Sequence, residues 1–149
     1  MIVKSLFVAI ALALAASLAA AGRAGASATD AGATLTARST NYGSILFDGR
    51  GHALYAFTRD RRGGRSRCYG DCAKAWPVYF AKGRVLAGRS VKQSLIGTTR
   101  RRDGRLQVTY GGRPLYYYVG DGIGEVKCQA VVEYGGTWLV VRPNGQLVR

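Results

Sequence analysis

Acid is scarce in this sequence: 149 residues hold 8 Asp and Glu against 22 Lys and Arg, for a formal net charge of +14. Histidine is rarer still, with His52 the single example, beside three prolines, three cysteines and one methionine. Catalysis usually announces itself through a histidine, a nucleophile with a base, or paired carboxylates, and none of these is assembled here. His52 falls in a predicted hairpin turn, where a lone imidazole reads as a surface residue rather than a base. There is no Gly-x-x-x-x-Gly-Lys phosphate loop, no His-Glu-x-x-His and no Gly-x-Ser-x-Gly elbow. Gly120, Gly122 and Gly124 do not fit the dinucleotide fingerprint. Cys68-x-x-x-Cys72 with a distant Cys128 lacks the paired spacing of a structural zinc site. The expectation is therefore a chain without catalytic residues, cofactor or metal.

Long apolar runs are also missing, except at the start. After Lys4, an uninterrupted apolar stretch runs from Ser5 to about Ala21, followed by the small residues Ala24, Gly25, Ala26, Ser27 and Ala28. A positive n-region, an apolar h-region and an Ala-x-Ala exit describe a secretory signal peptide over residues 1–28, cleaved before Thr29. An uncleaved anchor is the competing reading, since a spanning helix needs roughly 17 to 25 apolar residues. No cysteine lies near the exit, which excludes a lipid anchor. Cleavage removes Lys4 and Arg23 and no acid, leaving 20 basic against 8 acidic residues, a balance of +12. Export makes nucleic acid an unexpected partner despite this charge. The polyanions met in the periplasm or outside the cell are anionic lipid, glycolipid and wall polymer, and charge alone attracts a soluble basic protein to them. Solubility is the plainer use of the same charge.

What remains reads as mainly β, in one domain of ordinary size. Residues 29–41 lack hydrophobic periodicity and are expected to be a flexible lead-in. Strand signals cover Ser44 to Asp48, Ala53 to Phe57, Leu106 to Tyr110, Leu115 to Val119 and Thr137 to Arg142. The turns Asp48-Gly49-Arg50-Gly51 and Tyr110-Gly111-Gly112-Arg113 predict two hairpins. An offset of 61 lays Leu54, Tyr55, Phe57 and Asp60 on Leu115, Tyr116, Tyr118 and Asp121, and one of 62 lays Trp76 on Trp138. The 42–149 domain is thus two hairpin or meander repeats, about 42–80 and 95–145, sharing one compact core because neither buries its face alone. Period-2 alternation sends Leu54, Ala56, Leu115 and Tyr117 to one face and Tyr55, Phe57, Tyr116 and Tyr118 to the other. One short helical turn is expected near Cys72 to Trp76, ended by Pro77. Residues 82–99 read as a connector with a weak strand.

Three features carry possible chemistry. Tyr55, Asp60, Tyr116 and Asp121 either line a groove for a polar ligand or serve the fold, the aspartates capping turns and the tyrosines packing their rings. Within one repeat, Tyr55 reaches Asp60 only if the chain turns after Phe57 or Thr58. Arg59, Arg61, Arg62, Arg65 and Arg67 form one basic cluster in a solvated loop, and Arg100, Arg101, Arg102 and Arg105 a second at a turn. Cys68, Cys72 and Cys128 allow three single pairings that spacing alone does not separate.

Leu54-Tyr55-Ala56-Phe57-Thr58-Arg59-Asp60, the block from Cys68 to Pro77, and the run from Asp103 to Tyr116 together resemble a family of bacterial secreted repeats. That family is usually described as predicted lipoproteins with a Tyr-x-aromatic-x-x-Asp motif. The resemblance spans about Tyr42 to Asn144, and the Cys-to-Trp-Pro block makes it specific. It implies an exported envelope protein of tandem repeats to which no activity is attached. Most such relatives carry a lipid-accepting cysteine at the signal exit, and this chain does not. The resemblance also implies a Cys68–Cys72 disulfide, with Cys128 additional and unpaired. The expected function is a noncatalytic binding or structural module with affinity for anionic envelope components. A thiol–disulfide redox or small-ligand-handling role is the alternative.

Overall fold

The computed structural model describes residues 34–149, so the signal segment expected at 1–28 and the first residues of the lead-in lie outside the described part. Strands β1 (Thr34–Thr40), β2 (Gly43–Asp48) and β3 (Tyr55–Phe57) precede helix α1 (Asp71–Ala75) and a two-residue strand β4 (Leu86–Ala87). The second half repeats the course with β5 (Ile96–Arg100), β6 (Leu106–Tyr110) and β7 (Arg113–Pro114), then β8 (Val131–Glu133) and β9 (Gly136–Val140). The protein is mainly β, with three small sheets ordered β2-β1-β4, β3-β9-β8 and β5-β6-β7.

Residues 34–40 correct the expected lead-in. They form β1, antiparallel to β2 from Leu35↔Asp48 to Thr40↔Gly43 and parallel to β4 at its start. The strand hides from periodicity because threonine, serine and arginine fill most positions and only Leu35 is fully buried. Its order comes from the ladder and from that one side chain. The predicted strand from Leu115 to Val119 is also less regular than expected, since β7 ends at Pro114 and Tyr116 pairs through isolated bridges. Between β6 and β7, Gly111 and Gly112 both take positive φ, 56° and 76°, the two-residue turn that glycine permits and other residues resist.

The repeats interlock at their Tyr-centred segments. Val78 bridges Tyr116, Tyr116 bridges Tyr55, and Tyr55 pairs with Val140, all antiparallel. The four segments in this row alternate between first and second repeat. At its centre the Tyr55 and Tyr116 N–H groups each donate to the other's carbonyl at 2.9 Å. Period-2 alternation then divides the core into two layers, as the pattern of apolar residues requires. Tyr55, Phe57, Tyr116, Trp76 and Trp138 occupy one layer, and Leu54, Ala56, Leu115, Val108 and Val141 the other. Each layer takes side chains from both repeats.

Four rings stack along the first layer. Trp76 and Trp138 lie face to face with centroids 4.0 Å apart and planes within 1°. Phe57 stacks on Trp138 at 4.2 Å, and its counterpart Tyr118 tilts against Trp76 at 4.9 Å. Both outer rings thus sit on the tryptophan of the opposite repeat. Trp76 and Trp138 are fully buried, so truncating either opens a cavity that both repeats line. Trp76→Ala and Trp138→Ala are each expected to destabilise the protein by roughly 3–5 kcal/mol. Val132→Ser, at a side chain left 73% exposed, should change stability by less than about 0.5 kcal/mol. Urea unfolding midpoints check all three.

Candidate functional site

The repeated tyrosines and aspartates meet across the repeats, not within them. The Tyr55 hydroxyl donates to Asp121 Oδ2 at 2.6 Å, and the Tyr116 hydroxyl donates to Asp60 Oδ2 at 2.6 Å. Contact between Tyr55 and Asp60 within one motif does not form; the turn after Phe57 carries Asp60 to the other repeat's tyrosine instead. The remaining carboxylate oxygen of each aspartate holds the loop that follows it. Asp60 Oδ1 accepts the Arg67 N–H at 2.7 Å, and Asp121 Oδ1 accepts the Lys127 N–H at 3.0 Å. Tyr55, Tyr116 and Asp60 are buried, and Asp121 is half-buried. The four residues form two internal locks and do not line an open groove.

Burial sets the titration of these groups. It raises Tyr116 first, with the Asp60 charge and hydrogen bond adding to the effect, and it raises Tyr55 first with Asp121 adding likewise. Asp60 is also raised, burial outweighing the hydrogen bonds from Tyr116 and the Arg67 N–H and the charges of Arg101 and Arg67. Asp48 goes the other way. Burial is its largest influence and pushes upward, yet hydrogen bonds from the His52 N–H, the Tyr117 hydroxyl and the Arg50 N–H together carry it below the usual carboxylate value.

The two arginine clusters meet in space, and one member leaves the surface. Arg101, expected in a basic patch, is 4% exposed. It donates to Ser66 Oγ at 2.8 Å, Gln107 Oε1 at 2.9 Å and the Cys68 carbonyl at 2.7 Å, and its guanidinium lies over the Tyr69 ring. Ser66 Oγ lies in turn 2.7 Å from the Tyr116 hydroxyl, so Arg101 belongs to the buried network around one lock. Arg59, Arg61, Arg62, Arg65, Arg67, Arg100, Arg102 and Arg105 are exposed. Among the described residues, Arg105 alone of these has a carboxylate partner, Asp103 at 2.6 Å. Arg62 turns toward Arg113, Arg149 and the Asn144–Leu147 turn, where a groove of about 530 Å³ opens.

Cys68 and Cys72 form a disulfide with both residues buried, and Cys128 is a free, half-buried thiol. Lys127 corresponds to Arg67 in the two locks, so Cys128 stands where Cys68 stands in the first repeat. The second repeat has strand β8 where the first has α1, and no cysteine there to pair with. Among the described residues no group of His, Cys, Asp and Glu is placed to hold a metal ion.

A family model described as a secreted repeat of unknown function matches residues 36–79 and again 97–142, together more than half of the chain. The chain belongs to this secreted-repeat family. No curated protein and no solved structure matches it. The two matched segments coincide with the interlocked units, so each family repeat supplies the tyrosine of one lock and the aspartate of the other when placed beside its neighbour. Among the described residues no helix is long and apolar enough to cross a membrane. Arg113, Arg149 and the Asn144–Gln146 turn were not legible as site residues. The signal that points to them is divergence inside the repeat, where Arg62 aligns with Ile123 and Arg113 with His52.

The buried locks have a consequence at high pH. Tyr55 and Tyr116 hold their protons above the ordinary tyrosine value of 10.0, whereas the unfolded chain releases its protons near that value. Their stabilising contribution is complete below that pH and is lost as pH rises toward the folded values. Spectrophotometric titration should show that a fraction of the nine tyrosines ionises only together with loss of the near-ultraviolet circular dichroism. Full tyrosinate absorbance in a protein with its native spectrum intact would contradict this account.

Proposed function

We propose that this secreted repeat is a noncatalytic binding module of the cell envelope, drawn to anionic lipid, glycolipid or wall polymer by guanidinium groups on a rigid duplicated scaffold. The observation that carries this reading is the fate of the acids. Among the described residues, Asp60 and Asp121 are held in the locks, Asp48 accepts hydrogen bonds from its own turn, and Glu133 accepts the Trp76 indole N–H. Asp71, Asp103 and Glu125 pair locally with Lys74, Arg105 and Lys127. Among the described residues no acid forms an ion pair with Arg59, Arg61, Arg62, Arg65, Arg67, Arg100 or Arg102. A surface of one sign concentrates polyanions of the other.

The locks also argue against catalysis at the repeated motif, because their tyrosines and carboxylates are buried and satisfied by one another. Burial of both Cys68 and Cys72 favours a structural bond over a redox pair, which needs access for an attacking thiolate. The compartment that suits the reading is the periplasm or the exterior, with the protein soluble after signal cleavage and without a lipid anchor.

Cosedimentation with vesicles tests it. The protein should bind phosphatidylglycerol vesicles and not phosphatidylcholine vesicles at low ionic strength, and release steeply as salt shortens the Debye length to about 10 Å at 0.1 M. Equal binding to both vesicles, or to neither, would rule the reading out.

A further inference from the structure

The duplication builds the same loop junction twice, and the two copies differ in one respect. In one junction the Gly63 N–H donates to the Gly112 carbonyl at 2.7 Å; in the other the Gly124 N–H donates to the Gly51 carbonyl at 2.8 Å. Arg62 and Arg113 flank the first contact, and Ile123 and His52 occupy the same positions at the second. A junction made with isoleucine and histidine shows that the backbone contact does not require arginine. The junction contact therefore does not account for the two guanidinium groups at the first copy.

Their setting is that of an anion site. Arg62 Nε donates to the Gly111 carbonyl at 2.7 Å, which fixes the side chain while no hydrogen bond to the described residues engages its terminal nitrogens. Arg113 Nε is buried without a partner among the described residues. Arg149 supplies the third guanidinium of the groove, and no Asp or Glu side chain among the described residues lines it. The Arg113 guanidinium is held below the ordinary arginine value, by burial first and then by the charges of Arg62 and Arg149. In the same lining, Asn144 Nδ2 donates to Gln146 Oε1 at 3.1 Å and the Gln146 backbone N–H donates to Asn144 Oδ1, which leaves the side-chain Nε2 of Gln146 as a donor.

We infer that this groove, at Arg62, Arg113 and Arg149, is a binding site for a phosphoryl group; the inference rests on the anion-binding reading above and gives it a location. Guanidinium forks pair bidentately with phosphoryl oxygens, and a tetrahedral group offers oxygens to cations arriving from several directions, where a carboxylate offers only two. Three converging like charges repel one another until such an anion arrives. The groove volume of about 530 Å³ leaves room for the substituent on the phosphoryl group.

The test transplants one junction onto the other. Arg62→Ile with Arg113→His gives the arginine junction the residues its sister already tolerates, and Arg84→Gln with Arg89→Gln removes as much charge from exposed positions outside the groove. Calorimetry above neutral pH with inorganic phosphate should show binding about tenfold or more weaker in the junction variant and within about twofold of wild type in the control. Should the junction variant fail to fold, Arg149→Gln takes its place with the same expectation. A matching loss of phosphatidylglycerol-vesicle binding in the junction variant alone assigns the phosphoryl group to a lipid headgroup. Vesicle binding that falls equally in both variants, beside the selective loss of phosphate, assigns it to a free phosphate. If phosphate binding falls equally in both, or if wild type takes vesicles but no phosphate, the groove is overturned while the general cationic reading stands. If wild type binds neither probe, both fall.

Discussion

Each half of this protein hydrogen-bonds its tyrosine to the other half's aspartate, and the remaining architecture follows from that exchange. A hydroxyl 2.6 Å from a buried carboxylate satisfies a group that would otherwise be costly to bury. Because the bond is made in both directions, neither repeat reaches its own structure alone. The reciprocal backbone pairing of Tyr55 and Tyr116 sets the centre of the interlocked row, the row brings Trp76 onto Trp138, and the second oxygen of each aspartate ties down the loop that follows. Stability is thereby concentrated where the copies cross, in side chains present in both.

The same exchange shapes the exterior. A chain with few acids has placed two of them in its locks and others in turns and local pairs, so most arginines of the two clusters reach the surface without a carboxylate partner among the described residues. Charge on the surface and order in the core are in this sense one arrangement. Positions where the copies agree, such as the tyrosines, aspartates, tryptophans and junction glycines, carry the fold. Where they disagree, the fold is demonstrably permissive: Ile123 stands for Arg62, His52 for Arg113, and β8 for α1. An internal duplicate thus serves as its own control for which residues have a use beyond folding.

The duplication, the helical turn before Pro77, the two faces of the Leu-Tyr segments and most central strands were legible in the sequence because period and turn chemistry are local. β1 was not, since a threonine-rich strand with one fully buried leucine has no apolar alternation to detect even though it lies between β2 and β4. The partner of each aspartate was equally hidden. Spacing within a motif says that Tyr55 and Asp60 are neighbours along the chain, but a repeat offers each tyrosine two chemically identical acceptors, and only the crossing of the units selects Asp121. Arg101 read like its neighbours because composition does not distinguish a buried guanidinium from a solvated one; Ser66, Gln107 and the Cys68 carbonyl make the difference. The groove draws on residues 62, 113, 144–147 and 149, so no single stretch of sequence contains it.

The crossing is tested most directly by two double-mutant cycles on unfolding free energy, one pairing Tyr116→Phe with Asp60→Asn and one pairing Tyr55→Phe with Asp60→Asn. The first pair should couple by about 1–3 kcal/mol and the second by no more than about 0.5 kcal/mol. Coupling that is instead strong for Tyr55 with Asp60 and absent for Tyr116 with Asp60 would mean that each repeat closes on itself.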